Sequence, residues 1–193
     1  MLKNLDKYNI ILASNSPRRK EILKDMGIKF EVRASNIDEN ITSNLAAKDV
    51  PIFLAQKKSE VLRNRLKENE ILITADTVVL YNNEIITKPT NYKNAREILK
   101  KLSNKKHEVI TGVCLSNKDK TSLFASKTDV TFNKLSDYEI DLYIKIFKPY
   151  DKAGSYGIQE WIGLIGVKKI NGSYTNVVGL PSSRLYQELN KFI

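Results

Sequence analysis

The chain has 193 residues, of which 41% are hydrophobic and 28% charged, and its formal net charge is +10. This balance is typical of one globular domain; it excludes a disordered chain, and no apolar run approaches the ~20 residues of a membrane-spanning helix. The single cysteine, Cys114, excludes an internal disulfide, and the four-residue apolar run near the N-terminus is too short for a signal peptide, so we expect one domain over residues 1–193 in a reducing cytoplasm.

The first half of the chain predicts strands and helices in turn. Residues 9–13 form an apolar run typical of a short buried strand. A helix follows, because Ser16 can cap it, Pro17 suits its first position and Gly27 can end it. The next predicted elements are a strand over 29–34, an acidic loop over 35–44, a helix over 48–69, and a hairpin of strands 71–81 and 84–87.

The second half predicts neighbouring strands between helices. The predicted elements are an amphipathic helix over 91–102, strands over 107–115 and 123–132, a helix from the cap Ser136 to 147, and a last helix over 180–192. Adjacent strand pairs mixed with helices predict an α/β fold with a mixed, largely antiparallel twisted sheet flanked by helices. We expect two lobes around a substrate cleft.

Several catalytic motifs are absent from the sequence. It has no GxxxxGK[ST], HExxH, paired CxxC or GxSxG segment, which argues against P-loop, zincin, zinc-finger and serine-hydrolase functions. His107 and Cys114 are seven residues apart on one predicted strand, so they face opposite sides and do not form a catalytic pair. We expect Cys114 to lie in the core.

The segment SNSPRR has an unusual charge placement. Arg18 and Arg19 fall in the first turn of the predicted helix, where the helix dipole disfavours cations by ~0.3–1 kcal/mol each. Unpaired backbone N–H groups there form an anion site, to which Ser14 and Ser16 add hydroxyls. The arginines therefore indicate a phosphate site, and removing either should leave the unliganded protein at least as stable. An ordinary helix cap, with arginines paired to nearby acids, is the alternative.

The same residues carry a family resemblance. ASNSPRRKEIL resembles the opening of the Maf family, nucleotide pyrophosphatases that cleave the α–β phosphoanhydride. Four more segments match in order: ITADTVV, Lys88-Pro89, DKAGSYGIQ and NVVGLP. The resemblance runs from about residue 9 to the last helix, and it implies a Maf/ITPase-like fold and a homodimer.

The resemblance implies that Asp76 is the proton acceptor, although an acid at the end of an apolar run is often only a turn cap. Phosphoanhydride hydrolysis normally also uses Mg²⁺ or Mn²⁺, which bind oxygen ligands. Glu39 in the acidic loop and Asp76 are the candidate ligands. Glu39 could equally be a solvated loop acid, and whether Asp76 is a base or a metal ligand stays open.

Further residues complete a phosphate site under the resemblance. Lys58 and Lys88 join Ser14, Ser16 and Arg19, although lysines are usually just solvated. The family often has an acid directly before the Lys-Pro pair, where this chain has Thr87. This departure weakens any role assumed for that position.

Three positions indicate the substrate. One branch of the family acts on dTTP and UTP, and another acts on 7-methyl-GTP. Arg18, Thr77 and Gln159 resemble the first branch; the second carries Trp, Gln and Glu in their places. The Gln159 amide could accept the N3–H of uracil or thymine and donate to O4, whereas cytosine reverses both groups. The expected partner is thus a pyrimidine nucleoside triphosphate, normal or modified.

The net charge allows a different class of function. It could reflect a polyanionic partner or only a lysine-rich composition. A basic nucleic-acid-binding or septum-associated regulatory protein is the alternative to an enzyme. Since no recognised nucleic-acid motif accompanies the charge, we expect no specific nucleic-acid partner. Since no apolar run is long enough to span a bilayer, we expect no membrane partner. A third hypothesis is a pyrophosphatase for deaminated purines such as ITP, and Gln159 and Thr77 disfavour it.

Overall fold

The computed structural model describes residues 5–34 and 45–193, which form one mixed sheet with helices on both faces. The strands are β1 (Asn9–Leu12), β2 (Phe30–Val32), β3 (Glu70–Tyr81), β4 (Glu84–Ile86), β5 (Lys106–Ser116), β6 (Thr121–Phe132) and β7 (Val167–Asn171). The helices are α1 (Pro17–Asp25), α2 (Val50–Arg63), α3 (Tyr92–Leu102), α4 (Asp137–Phe147), α5 (Trp161–Gly166), α6 (Tyr174–Val178) and α7 (Ser182–Phe192). Among these described helices, none is long and apolar enough to cross a membrane.

The seven strands lie in the order β2-β1-β3-β5-β6-β7, with β4 paired to β3. β1 pairs in parallel with β2 and β3, and every other pairing is antiparallel. The predicted mixed, largely antiparallel sheet is therefore confirmed. The long strands β3 and β5 form its centre and pair over nine residue positions.

The two faces of β3 pack against different helices, because side chains alternate along a strand. Val78 and Leu80 pack with Val50 and Leu54 of α2. On the opposite face, two separate clusters form two lobes. The first lobe includes Ile10, Leu12, Leu23, Ile73, Leu185 and Leu189. The second lobe includes Val79, Ile98, Leu99, Phe132, Tyr143 and Ile144.

Helix α2 begins in direct contact with the backbone of β5. A Cβ at Gly112 would lie 2.4 Å from backbone atoms of Pro51 and Ile52, so glycine permits this approach. Gly112 is also the register partner of Asp76 on β3. Two helical turns after Pro51, α2 therefore carries Lys58 over Asp76.

The structure corrects several predicted boundaries. Helix α2 ends at Arg63 rather than 69, because a turn follows in which the Leu66 N–H donates to the Arg63 carbonyl. Residues 148–179, which carried no predicted element, contain α5, β7 and α6. These helices are too short to develop a 3.6-residue pattern, and β7 has no fully buried residue.

An ion pair closes the loop that leads into β3. Arg33 donates to both carboxylate oxygens of Glu70, at 2.8 and 2.6 Å, and the Lys67 N–H donates to Glu70 at 2.9 Å. The Glu70 side chain is only 2% exposed, whereas Glu31, which Arg33 also contacts, is 65% exposed. The hydrogen bonds from Arg33 lower the pKa of Glu70 to about 2.

We expect Glu70→Gln to lower the free energy of unfolding at pH 7 by about 2–3 kcal/mol, because Arg33 loses a charged, buried acceptor. Glu31→Gln, the matched control, should change it far less. Since the pKa of Glu70 is depressed in the folded chain, its contribution should be present above its ordinary value of 4.5 and lost as pH falls toward about 2. Urea unfolding at stepped pH measures both effects, and equal losses in the two variants would contradict this account.

Candidate active site

The sheet has a gap along one edge of β3. β5 occupies one edge of β3, so β1, which pairs with residues 70–73, and β4, which pairs with residues 79–81, share the other. Among the described strands, none pairs with residues 74–78 on that second edge. A cleft of about 380 Å³ opens at this gap. Its walls come from both lobes and from α2.

Every candidate site residue in the described ranges lies on the wall of this cleft. They are Ser14, Ser16, Arg18, Arg19, Lys58, Asp76, Thr77, Lys88 and Gln159. Glu39, the other candidate metal ligand, lies outside the described residues.

Asp76 is in the middle of β3, inside the strand predicted over 71–81 and not at a strand end, so the turn-cap alternative is wrong. Asp76 faces α2 and Thr77 faces α1. Both nevertheless line the cleft, because none of the described strands covers this edge of β3. The gap in the sheet therefore brings two opposite-facing side chains to one site.

The start of α1, whose cap and first residue are those predicted, forms one end of the cleft. Ser16 caps the helix by accepting a hydrogen bond from the Arg19 N–H at 3.4 Å, and Pro17 follows as the first helical residue. Ser14 accepts from the Ser16 N–H at 3.2 Å and from Arg19 Nη1 at 3.3 Å. The serines thus order the turn that leads into the helix.

Arg19 connects three elements through its guanidinium. Nε donates to the Gly179 carbonyl at 2.8 Å, Nη1 to the Ala75 carbonyl at 2.8 Å, and Nη2 to the Thr77 hydroxyl at 3.1 Å. Gly179 has a φ of 129° at the end of α6, a conformation that favours glycine. These contacts argue against the expectation that the unliganded protein is at least as stable without Arg19, because the side chain joins α1, the open edge of β3 and α6.

Arg18 belongs to a chain of ion pairs that is separate from the contacts of Arg19. Its Nη1 lies 2.8 Å from Asp151 Oδ2, and Lys152 Nζ lies 2.7 Å from Asp151 Oδ1 and 3.1 Å from Glu160 Oε1. Burial alone would raise the pKa of Asp151, but the hydrogen bonds from Lys152 and Arg18 outweigh it and hold that pKa at about 2. Asp151 therefore stays ionised at neutral pH.

Asp151 and Lys152 line the cleft and were not among the residues chosen from the sequence. Both lie in the DKAGSYGIQ segment, whose charged first pair was the available signal. The Lys152 side chain is about 10% exposed, which is unusual for lysine and marks it as part of the cleft wall.

Asp76 and Lys58 form an ion pair across the cleft floor. Lys58 Nζ lies 2.6 Å from Asp76 Oδ1, and the two side chains are only 10% and 13% exposed. Because the two side chains are largely buried away from water, their electrostatic interactions with a charged ligand are stronger than they would be in bulk solvent. The pair places one carboxylate and one ammonium side by side in the cleft.

The described residues hold no cluster of three or more metal-binding side chains. Mg²⁺ sites on nucleotides, however, commonly use one or two carboxylates and take other oxygens from phosphate and water. Asp76 on the cleft wall fits that pattern, since it is a carboxylate with oxygen donors of the required type. The chain thus suits a cation that arrives with a phosphorylated ligand.

The remaining specificity and phosphate candidates differ in how they are held. Lys88 and Gln159 are exposed, and within the described ranges no side chain or backbone group hydrogen-bonds the Gln159 amide. None of the described residues therefore fixes which way this amide points. Thr77, in contrast, is fixed by hydrogen bonds on two sides.

Sequence comparisons with known proteins match nearly the whole chain. A protein-family model described as "Maf-like protein" matches residues 9–192. A dTTP/UTP pyrophosphatase of Phocaeicola vulgatus is 54% identical over 99% of this chain and 100% of its own length. A dTTP/UTP pyrophosphatase of Parabacteroides distasonis is 50% identical, with both chains fully covered. A solved nucleoside-triphosphatase / dITP/XTP pyrophosphatase from Mycobacterium abscessus matches with a TM-score of 0.42 and 11% identity, covering 64% of this chain and 72% of that one.

Proposed function

This chain belongs to the Maf family, and on that premise we propose that it hydrolyses dTTP and UTP to the monophosphate and pyrophosphate. The observation that carries the proposal is the meeting of Asp76 with cationic side chains and the start of α1 in one cleft. Its full-length relatives bear the names of dTTP/UTP pyrophosphatases, which supports the same substrates.

The triphosphate would bind where positive groups converge. The N–H groups at the start of α1, the hydroxyls of Ser14 and Ser16, and Lys58 and Lys88 would bind phosphate oxygens. Lys152 also lies on the wall, where its charge is paired with Asp151 and Glu160. This arrangement would neutralise the charge that develops on the leaving pyrophosphate.

Asp76 would accept the proton of the attacking water or bind a cation beside it. Lys58 would hold the carboxylate in place through the 2.6 Å ion pair. A divalent cation, Mg²⁺ or Mn²⁺, would be held by Asp76 together with phosphate oxygens and would supply further charge neutralisation. Glu39 remains a second candidate ligand.

Release of pyrophosphate from dTTP, UTP, CTP, 7-methyl-GTP, ITP and GTP tests the substrate proposal. We expect turnover of dTTP and UTP well above the others, with activity lost in excess EDTA and restored by Mg²⁺ or Mn²⁺. If none of these nucleotides is cleaved, the proposal is wrong, and a basic regulatory protein becomes the better interpretation.

Gln159→Glu should reduce kcat/KM for dTTP and UTP by about tenfold or more, because an ionised glutamate cannot donate to O4. Gln187→Glu, an exposed change of the same kind on α7, is the matched control. Kinetics over the same nucleotides distinguish base recognition from charge repulsion. An equal fall for every nucleotide would show that Gln159 does not contact the base.

The family resemblance also supports a homodimer in the cytoplasm, which we include in the proposal. Light scattering of the purified chain over a range of concentrations measures the oligomeric state. A monomer at all concentrations would contradict that part.

A further inference from the structure

The Thr77 hydroxyl belongs to a chain of hydrogen bonds that leads away from the cleft. Arg19 Nη2 lies 3.1 Å from Thr77 Oγ1. Thr77 Oγ1 lies 2.9 Å from Thr111 Oγ1, which in turn lies 3.0 Å from the Asn176 backbone oxygen. The chain therefore runs from a guanidinium at one end to a carbonyl at the other.

The chemistry of the two ends determines the direction of every proton between them. A guanidinium only donates, and a carbonyl only accepts. Thr111 has one hydroxyl proton, which it donates in a hydrogen bond to the Asn176 backbone carbonyl. Thr77 must then donate its own proton to Thr111. Arg19 donates to one of the two lone pairs of the Thr77 oxygen. The hydroxyl can therefore offer a ligand its second lone pair, but it has no proton left to donate.

The far end of the chain is held rigidly. Thr111 and Asn176 are fully buried. The Asn176 side chain donates from Nδ2 to the Val109 carbonyl at 3.0 Å and to Thr128 Oγ1 at 2.9 Å. Thr77 and Thr111 are direct partners on β3 and β5. The Thr77 hydroxyl therefore cannot turn its proton toward the cleft without breaking a buried hydrogen bond.

We propose that Thr111 is a positioning residue that makes Thr77 a fixed hydrogen-bond acceptor for an N–H or O–H group of the bound nucleotide. The inference rests on the proposed function and deepens it. The Gln159 amide, which no described residue orients, can present either its donor or its acceptor. Thr77 can present only a lone pair. A ligand that places another acceptor there would bind less tightly.

Two groups of dTTP could supply the donor, and two analogues distinguish them. The N3–H of thymine is absent from dCTP, and the 3′-OH of the sugar is absent from 3′-deoxy-dTTP. We would measure kcat and KM for these three substrates with the wild-type protein, Thr111→Val and Thr111→Ser. Valine keeps the shape of Thr111 and removes its hydroxyl; serine keeps the hydroxyl.

Thr111→Val should raise the KM for dTTP about tenfold, with kcat little changed, because Thr77 can then turn its proton toward the donor of the substrate. The preference for dTTP over the analogue that lacks the donor should shrink by a similar factor. Thr111→Ser should restore both. The inference is wrong if Thr111→Val lowers kcat/KM equally for all three substrates, or if serine fails to restore the preference.

Two more variants separate positioning from packing. Thr128→Val removes another buried hydroxyl that contacts Asn176 but not Thr77. It should therefore lower the melting temperature and keep the substrate preference. A lost preference would count against the inference.

Thr77→Val changes a half-buried residue and removes the acceptor itself, so it tests the inference directly if Thr111→Val does not fold. Retention of both preferences in Thr77→Val would overturn the inference. A wild-type protein that cleaves none of the three substrates would instead overturn the proposed function, and the inference with it.

Discussion

Asp76→Asn is expected to lower kcat for dTTP by about 10²–10⁴ while the protein remains folded, because asparagine can neither accept the proton of water nor contribute a charged oxygen to a cation. The carboxylate lies on the cleft wall beside Lys58, in the part of β3 where one edge pairs with none of the described strands. Initial rates at saturating dTTP, together with circular dichroism and thermal unfolding, measure the effect.

Asp49→Asn is the matched control for this change. Asp49 is exposed at the start of α2, caps no helix N–H with its side chain, and does not line the cleft. Its rate should equal that of the wild-type protein. If folded Asp76→Asn keeps more than about a tenth of the wild-type rate, then Asp76 has neither proposed role.

Arg19→Ala is expected to lower the free energy of unfolding by about 2–4 kcal/mol, because the Ala75 and Gly179 carbonyls and the Thr77 hydroxyl all lose a charged donor. Activity should fall as well, since the same side chain orders the start of α1 against β3. Urea unfolding of the ligand-free protein measures the stability loss.

Arg18→Ala serves as the comparison on the same helical turn. Among the described residues, Arg18 has one ion pair, to the half-exposed Asp151, so its removal should cost at most about 1 kcal/mol. The helix dipole disfavours both arginines equally, so it predicts no loss in either variant. Equal and negligible changes would favour the dipole argument over the contacts of Arg19.

Much of the site was predictable from local sequence. Ser16 and Pro17 predict the start of α1 because capping and the φ of proline act within one turn. The odd spacing of His107 and Cys114 predicts opposite faces: His107 contacts Phe132 and Tyr156, whereas Cys114 lies beside Ser59 on α2. The ordered motifs identify the family, and the matches confirm it.

Other features of the site could not be predicted from residue patterns and spacing in the sequence. The helix dipole involves only the helix that carries Arg19, whereas its acceptors Ala75, Thr77 and Gly179 lie 56 to 160 residues away in the chain. Lys152 gave no local sign of burial, because lysine is usually exposed and its two carboxylate partners matter only once the loop is folded.

By itself, the sequence determined the family, the strand and helix types of the longer elements, and the residue types that can bind phosphate. These depend on short-range periodicity, capping and ordered motifs, which act within a few residues. Only the tertiary structure decided where those residues meet. The cleft exists because β1 and β4 pair with the two ends of one edge of β3 and leave its middle open. Strand pairing joins residues far apart in the chain, so neither the gap nor the proton direction at Thr77 follows from any local pattern.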